Sequence, residues 1–309
     1  MIDDAVAPLT GHIQVHEKGF QENMTLEYAF KYNSSMLDEI RRIKSVKEAA
    51  PRIYAGGLLI HKDSSAGAEI LAVKPELERK IITLHNNILP GGRFLEKGDT
   101  YSIILGRNLA DNLGVKTGET VSVVSQGFDG SIAADSFVVK GIFRSPNVTY
   151  NRTLALIPFE QGSETFSMSG YISSIVIRAD DIDSVPAVTR KVEVIAGEDL
   201  EVMPWDKLMP EILQFIVMDR VSSHIFVFIL YMIVAFGILN TIQMSVFERI
   251  RELGIMLSIG TSPVRIFLMV ITESAIISVI GIIAGLLSGA ALSYYFTIYP
   301  MDFSEYQAE

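Results

Sequence analysis

The sequence predicts an α+β body followed by two membrane-spanning α-helices that are joined by a short amphipathic helix. Three features of the chain lead there. Charge is concentrated in the body: residues 1–215 hold 22 Lys+Arg and 29 Asp+Glu, whereas residues 216–309 hold four and seven. Two runs, 221–247 and 274–301, carry no Asp, Glu, Lys or Arg over 27 and 28 residues. Between them, residues 248–265 are too polar to span a bilayer and too regular in their apolar spacing for an unstructured loop.

The body is expected over residues 1–217. Residues 11–16 alternate as a half-buried strand does. Ser34 or Ser35 stands where a helix cap belongs, with Met36, Leu37, Ile40 and Ile43 on the inward face of a helix running to about Ala50. Residues 52–60 and 68–73 follow as strands, joined by a turn over 61–67. A similar series returns later: strand 171–178, helix 182–196, strand 200–203. Two strand–helix–strand halves predict a split ferredoxin-like layer. The stretch between them, about 90–165, is expected as a β-rich insertion with short strands at 101–105, 119–125, 131–143 and 153–157.

The membrane elements are expected at 218–247 and 263–297, with 298–309 starting a further loop. A 27-residue helix is about 40 Å long at ~1.5 Å per residue, enough for a hydrocarbon core of about 30 Å. Gly281, Gly285 and Gly289 recur every fourth residue and form a small-residue stripe suited to helix packing in lipid. Glu273 heads the second run, either at the interface or as an intramembrane carboxylate. The connecting segment carries Arg249, Arg251 and Arg265, which places it on the cytoplasmic side by positive-charge counting and the body outside. A body outside, with an acidic and polar start to the chain, leads us to expect a further membrane helix upstream.

In the connecting segment, Ile250, Leu253 and Leu257 make one apolar helix face. Glu248 with Arg251, and Arg249 with Glu252, are opposite charges three residues apart. Gly254 is expected to interrupt this helix and Gly260 to cap it, and Ser262-Pro263 to start the next. The helix is either an interfacial anchor or a docking element for a cytoplasmic partner.

Composition excludes several classes of function. The chain has no Cys, so neither a disulfide scaffold nor a Cys-ligated zinc site is available. Its net charge of −10 argues against nucleic acid as a partner. No GxxxxGK[ST] motif is present, so ATP is not bound through a P-loop. His12 and His16 are about 13 Å apart along a strand, too far for one metal to bridge easily, and His61, His85 and His224 are scattered. No nucleophile–base–orienter set is apparent, and no cofactor or metal site is expected.

The residues Glu248-Arg-Ile-Arg-Glu-Leu-Gly254, with Ile259-Gly260, resemble the coupling-helix motif of the MacB/FtsX-type ABC transporter permeases. The continuation from Ile255 to Pro263 is most similar to the lipoprotein-releasing Lol permeases (LolC/LolE), although many relatives have Arg where Leu257 stands. Glu273 with the three glycines resembles the third membrane helix of that family. Pro90-Gly-Gly-Arg-Phe-Leu95, the stretch 104–121 and Trp205-Asp-Lys-Leu-Met-Pro210 are similar to its periplasmic core domain and return segment. The resemblance implies a fragment lacking the first and last of four membrane helices, in the bacterial inner membrane with the large domain periplasmic. It implies a separate ABC ATPase subunit docking on Glu248, Arg249, Arg251, Glu252, Leu253, Gly254, Leu257 and Gly260. A second permease chain, identical or a sibling, and a lipoprotein cargo are also implied. Phe215, Ile216, Phe226 and Phe228 are the candidate acyl-chain contacts. Efflux of drugs or peptides, transmission of a signal to cell-wall hydrolases, and a membrane sensor are the alternatives.

Overall fold

The computed structural model describes residues 9–299, the side chains of Ile212 and Ile216 excepted. The body's strands are β1 Ile13–Glu17, β2 Phe30–Lys31, β3 Val46–His61, β4 Ser64–Val73, β5 Ser102–Gly106, β6 Thr120–Gln126, β7 Ile132–Phe143, β8 Leu154–Pro158, β9 Tyr171–Ile172, β10 Ser174–Ala179 and β11 Leu200–Pro204; β6 and β7 alternate in burial, whereas β5 and β8 are buried throughout. Between them lie the helices α1 Ser34–Arg41, α2 Pro75–Ile81, α3 Arg107–Leu113, α4 Val148–Thr153, α5 Phe159–Thr165, α6 Val185–Ala196 and α7 Trp205–Leu208. The chain then continues as α8 Pro210–Glu248, α9 Ile250–Ser258 and α10 Pro263–Ile298.

Nine strands form one sheet in the order β11-β1-β10-β3-β4-β8-β5-β7-β6. β3 is long enough to serve two neighbourhoods. Its first half pairs with β10, its second half with β6, and β4 runs beside most of it. The pairing of β3 with β6 closes the sheet on itself through β4, β8, β5 and β7, which removes two exposed edges. Gly57 permits this closure: a Cβ there would lie 2.9 Å from Ile70 Cδ1 and 3.0 Å from the Val124 carbonyl. The stretch 90–165 is β-rich as expected, and β5 to β8 belong to this same sheet.

Three apolar clusters make up the core of the body. One fills the closed part, with Ile53, Leu59, Ile70, Leu105 and Phe137 fully buried. A second involves Leu71, Ile81, Ile104, Phe143 and Val176. The third lies between one face of β1, β10 and β3 and the helices α1 and α6, which contribute Met36, Leu37, Ile40, Val185, Val188 and Val192. Each fully buried Leu, Ile or Phe contributes about 1.5–3 kcal/mol.

The structure corrects two helix expectations. The helix at Ser34 does not reach Ala50: it ends at Arg41, and Val46 already begins β3. Pro51 biases Ala50 toward extended backbone, Ser45 turns the chain with φ 81°, and Ala49 and Ala50 are completely buried in the sheet. The cap is also neither Ser34 nor Ser35. Asn33 caps α1, its Oδ1 accepting from the Ser35 and Met36 amides.

The chain divides into two compact units, residues 1–216 and 217–309. In the second unit two stretches of 36 residues, Leu213–Glu248 and Pro263–Ile298, have the length and composition to cross a bilayer. They are apolar all round, as lipid-facing helices are.

Candidate functional site

The junction of α8, α9 and α10 collects most of the residues singled out from the sequence. α8 ends at Glu248, and Arg249 leaves the helical region with φ −101° and ψ 13° before α9 resumes. α9 ends in a Schellman motif. The Thr261 amide donates to the Met256 carbonyl at 3.0 Å and the Gly260 amide to the Leu257 carbonyl at 3.0 Å. Gly260 has φ 97°, so glycine is what makes this sharp stop inexpensive. Ser262 occupies the N-cap position of α10 and Pro263 its first turn. Gly254, by contrast, does not interrupt α9. It lies within the helix with open space where a Cβ would be. One glycine costs a helix too little to break it when the flanking residues are Leu, Ile and Met.

Arg249 is the electrostatic centre of the junction. Its Nε donates to Glu252 Oε2 at 3.1 Å, and its Nη1 donates to Glu273 Oε2 at 2.9 Å. Glu252, then Glu273, hold the guanidinium charged even more firmly than usual. The expected pair of Glu248 with Arg251 does not form among the described residues. Glu273 stands ten residues inside α10, about 15 Å along its axis, and Arg249 is its counter-charge. Sequence reasoning placed both residues but did not join them, because a spacing of 24 residues carries no local signal.

Between α8 and α10 runs a groove of about 680 Å³, lined by Gly237, Ile238, Ser245, Ile277 and Gly281 among others. Arg249, Leu253 and Glu273 close it at the α9 end. Gly281 belongs to this lining, and Gly285 and Gly289 continue the stripe along α10. No atom of another residue lies within 4 Å of a Cβ built on any of the three. The stripe therefore permits close approach but contacts no helix among the described residues. Phe215, Phe226 and Phe228 are 73, 70 and 65% exposed on α8. Eleven residues is about three helical turns, so Phe215 and Phe226 share one face, and Phe228 points away from it by about 200°. The side chain of Ile216 lies outside the described residues.

The segment that leads into α8 is tied to the body. The Trp205 amide donates to the His12 carbonyl at 2.9 Å, and Thr10 Oγ1 donates to Met209 Sδ at 3.3 Å. Among the described residues no group of three His, Cys, Asp or Glu could hold a metal. His12 Nδ1 accepts from the Ala179 amide, and His16 Nδ1 lies 3.0 Å from the Glu17 carbonyl.

Comparison with known proteins agrees with this architecture. The profile of the MacB-like periplasmic core domain matches residues 2–195, and that of the FtsX-like permease C-terminal domain matches residues 224–307. The chain belongs to the MacB/FtsX-type ABC transporter permease family. It is 22% identical over 261 residues to "Lipoprotein-releasing system transmembrane protein LolC" of Neisseria meningitidis, covering 81% of this chain and 62% of that protein. It is 24% identical over 266 residues to an "uncharacterized ABC transporter permease" of Methanocaldococcus jannaschii, covering 82% and 64%. The chain thus spans somewhat under two thirds of the length of these two relatives. Among solved structures, the periplasmic region of MacB from Actinobacillus actinomycetemcomitans is 15% identical, with a TM-score of 0.46 over 66% of this chain and 92% of that one.

Proposed function

We propose that this chain is the transmembrane subunit of an ABC transporter that passes ATP-driven movement to a periplasmic domain. ATP is hydrolysed on a separate partner that docks on the segment 248–262. The body, residues 1–217, is the periplasmic core domain, and 218–247 and 263–297 cross the bacterial inner membrane. Residues 298–309, which from 300 onward lie outside the described residues, are assigned to the start of a second periplasmic loop. The order β11-β1-β10-β3, with α1 and α6 packed on one face, supports reading its two β–α–β halves as a split ferredoxin-like layer.

One observation supports this reading above the others: Arg249 ties the start of α9 to Glu273 of α10. A force applied to α9 then reaches α10 through an ion pair and α8 through the backbone. Arg251 and Gly254 are exposed on α9 and make no contact that the helix needs, so they are assigned to the docking surface with Glu248, Glu252, Leu253, Leu257 and Gly260. The stripe Gly281, Gly285 and Gly289 is assigned to packing against another membrane helix, including one from a second permease chain. The cargo proposed is an acylated lipoprotein, with Phe215 and Phe226 as its acyl-chain contacts on one face of α8, and Ile216 and Phe228 as further candidates. The likeness to a protein named for lipoprotein release supports that choice.

The test is a charge exchange in the reconstituted transporter. Arg249→Glu or Glu273→Arg alone should lower transport per ATP hydrolysed by about five- to tenfold, the lower range of coupling between sites, and the double exchange should restore it. Arg251→Ala and Gly254→Leu should weaken ATPase binding and leave the body folded. Equal transport in all of these variants refutes the coupling role. Purification of the native complex in mild detergent decides the cargo. An ATPase with a lipoprotein supports lipoprotein release, an ATPase with an outer-membrane channel replaces it with efflux, and no ATPase at all refutes the transporter assignment.

A further inference from the structure

Across the face of the sheet opposite α1 and α6, one transverse row of residues is polar. In register, Glu201 of β11 faces His16 of β1, His16 faces Ser174 of β10, and Ser174 faces Arg52 of β3. Directly opposed residues on neighbouring strands project to the same side. α2 completes the row from above, with Glu78 joined to Arg52 by a buried ion pair. His16, Ser174, Arg52 and Glu78 are all fully buried. Phe20 packs at the His16 end of the row, its ring 5.4 Å from the His16 ring and 5.6 Å from that of Tyr54.

Four atoms in this row have no protein hydrogen-bond partner: His16 Nε2, Ser174 Oγ, Arg52 Nε and Glu78 Oε2. Buried polar atoms left in that condition carry their full desolvation penalty. Their chemistry is balanced. His16 Nδ1 lies 3.0 Å from the Glu17 carbonyl, which can only accept, so the proton sits on Nδ1 and Nε2 is an acceptor. The Glu78 carboxylate oxygen is also an acceptor. The Arg52 Nε–H is a donor, and the Ser174 hydroxyl can both donate and accept. Donors and acceptors left unpaired in one buried row can be bridged by water, which gives two hydrogen bonds and takes two.

We infer that this row is an internal hydration site, in which ordered water bridges His16, Ser174, Arg52 and Glu78. The row spans two strand spacings, about 10 Å, so a short chain of waters rather than a single molecule is required. Each water takes a bond from a donor and gives one to an acceptor, and the ion pair of Arg52 with Glu78 is held at the far end of the same chain.

The full chain in lipid nanodiscs tests this in two ways. A structure at a resolution that shows buried water elsewhere in the body should show density within hydrogen-bond distance of at least two of the four atoms. Ser174→Ala should lower the unfolding midpoint of the body, because a bridged hydroxyl is lost. An unbridged hydroxyl behaves in the opposite way, since removing it relieves a penalty and raises the midpoint. Direct protein–protein pairing of the four atoms without water, or a raised midpoint in Ser174→Ala, overturns the inference.

Discussion

Arg52 and Glu78 show how single residues set the stability of the body. Burial works against a charged guanidinium at Arg52, yet the adjacent carboxylate of Glu78 more than offsets this and keeps it protonated. Removing either partner strands the other charge in the core. Arg52→Ala or Glu78→Gln should therefore cost about 3–5 kcal/mol in urea unfolding, whereas replacing both by Met and Leu should be close to neutral. His16 gives the body a pH dependence of known sign. Burial lowers its pKa below the ordinary value of 6.5, the Glu17 carbonyl and Glu201 opposing this only in part. The unfolded chain then binds the proton more readily than the folded one. Stability from this group is complete above pH about 6.5, falls as pH drops through the folded pKa, and levels off below it. Unfolding midpoints at pH about 7.5 and about 5 should differ less in His16→Gln than in the unsubstituted protein.

Among the elements, α9 is the most exacting case because two glycines six residues apart serve it differently. Gly260 holds φ 97° in the Schellman stop. An L-residue there should cost about 1–2 kcal/mol and loosen the entry to α10, which hydrogen exchange at the amides of Gly260 and Thr261 would report. Gly254 is ordinary helix interior with open space around it, so Gly254→Ala should stiffen α9 by about 0.5–1 kcal/mol and slow exchange across it. Faster exchange in Gly254→Ala would contradict the helix as described. Sequence signals for these elements were uneven in a physically sensible way. The apolar face of Ile250, Leu253 and Leu257, the stop at Gly260 and the start at Pro263 were all legible, because caps and periodicity are local. The false extension of α1 toward Ala50 came from a periodic pattern that continued past Arg41. Pro51 and the tertiary demand for a buried strand at 46–50 overrode it.

At the scale of the whole molecule, the two units answer to different solvents. Residues 1–216 contain all three apolar clusters and the closed sheet. Unit 217–309 holds α9, α10 and most of α8, whose apolar side chains are exposed along their length. Expressed alone, residues 1–216 should unfold in one cooperative step with a midpoint that does not change on adding mild detergent, whereas the full chain should aggregate without it. A midpoint for the fragment that rises with detergent would show that the body depends on the membrane unit for its fold.

The sequence by itself determined the division into a charged body and two apolar spans, the apolar face of α9 with its stop at Gly260, and the family. These rest on composition, on caps and on periodicity, which act between residues close in the chain. Only the tertiary structure decided that one sixteen-residue strand serves both halves of the sheet and closes it. It also decided that Arg249 reaches Glu273 and that His16, Ser174, Arg52 and Glu78 meet in one buried row. Each of these depends on strand register or helix rotation, which bring together residues tens to more than a hundred positions apart, and no local pattern in the chain encodes such a distance.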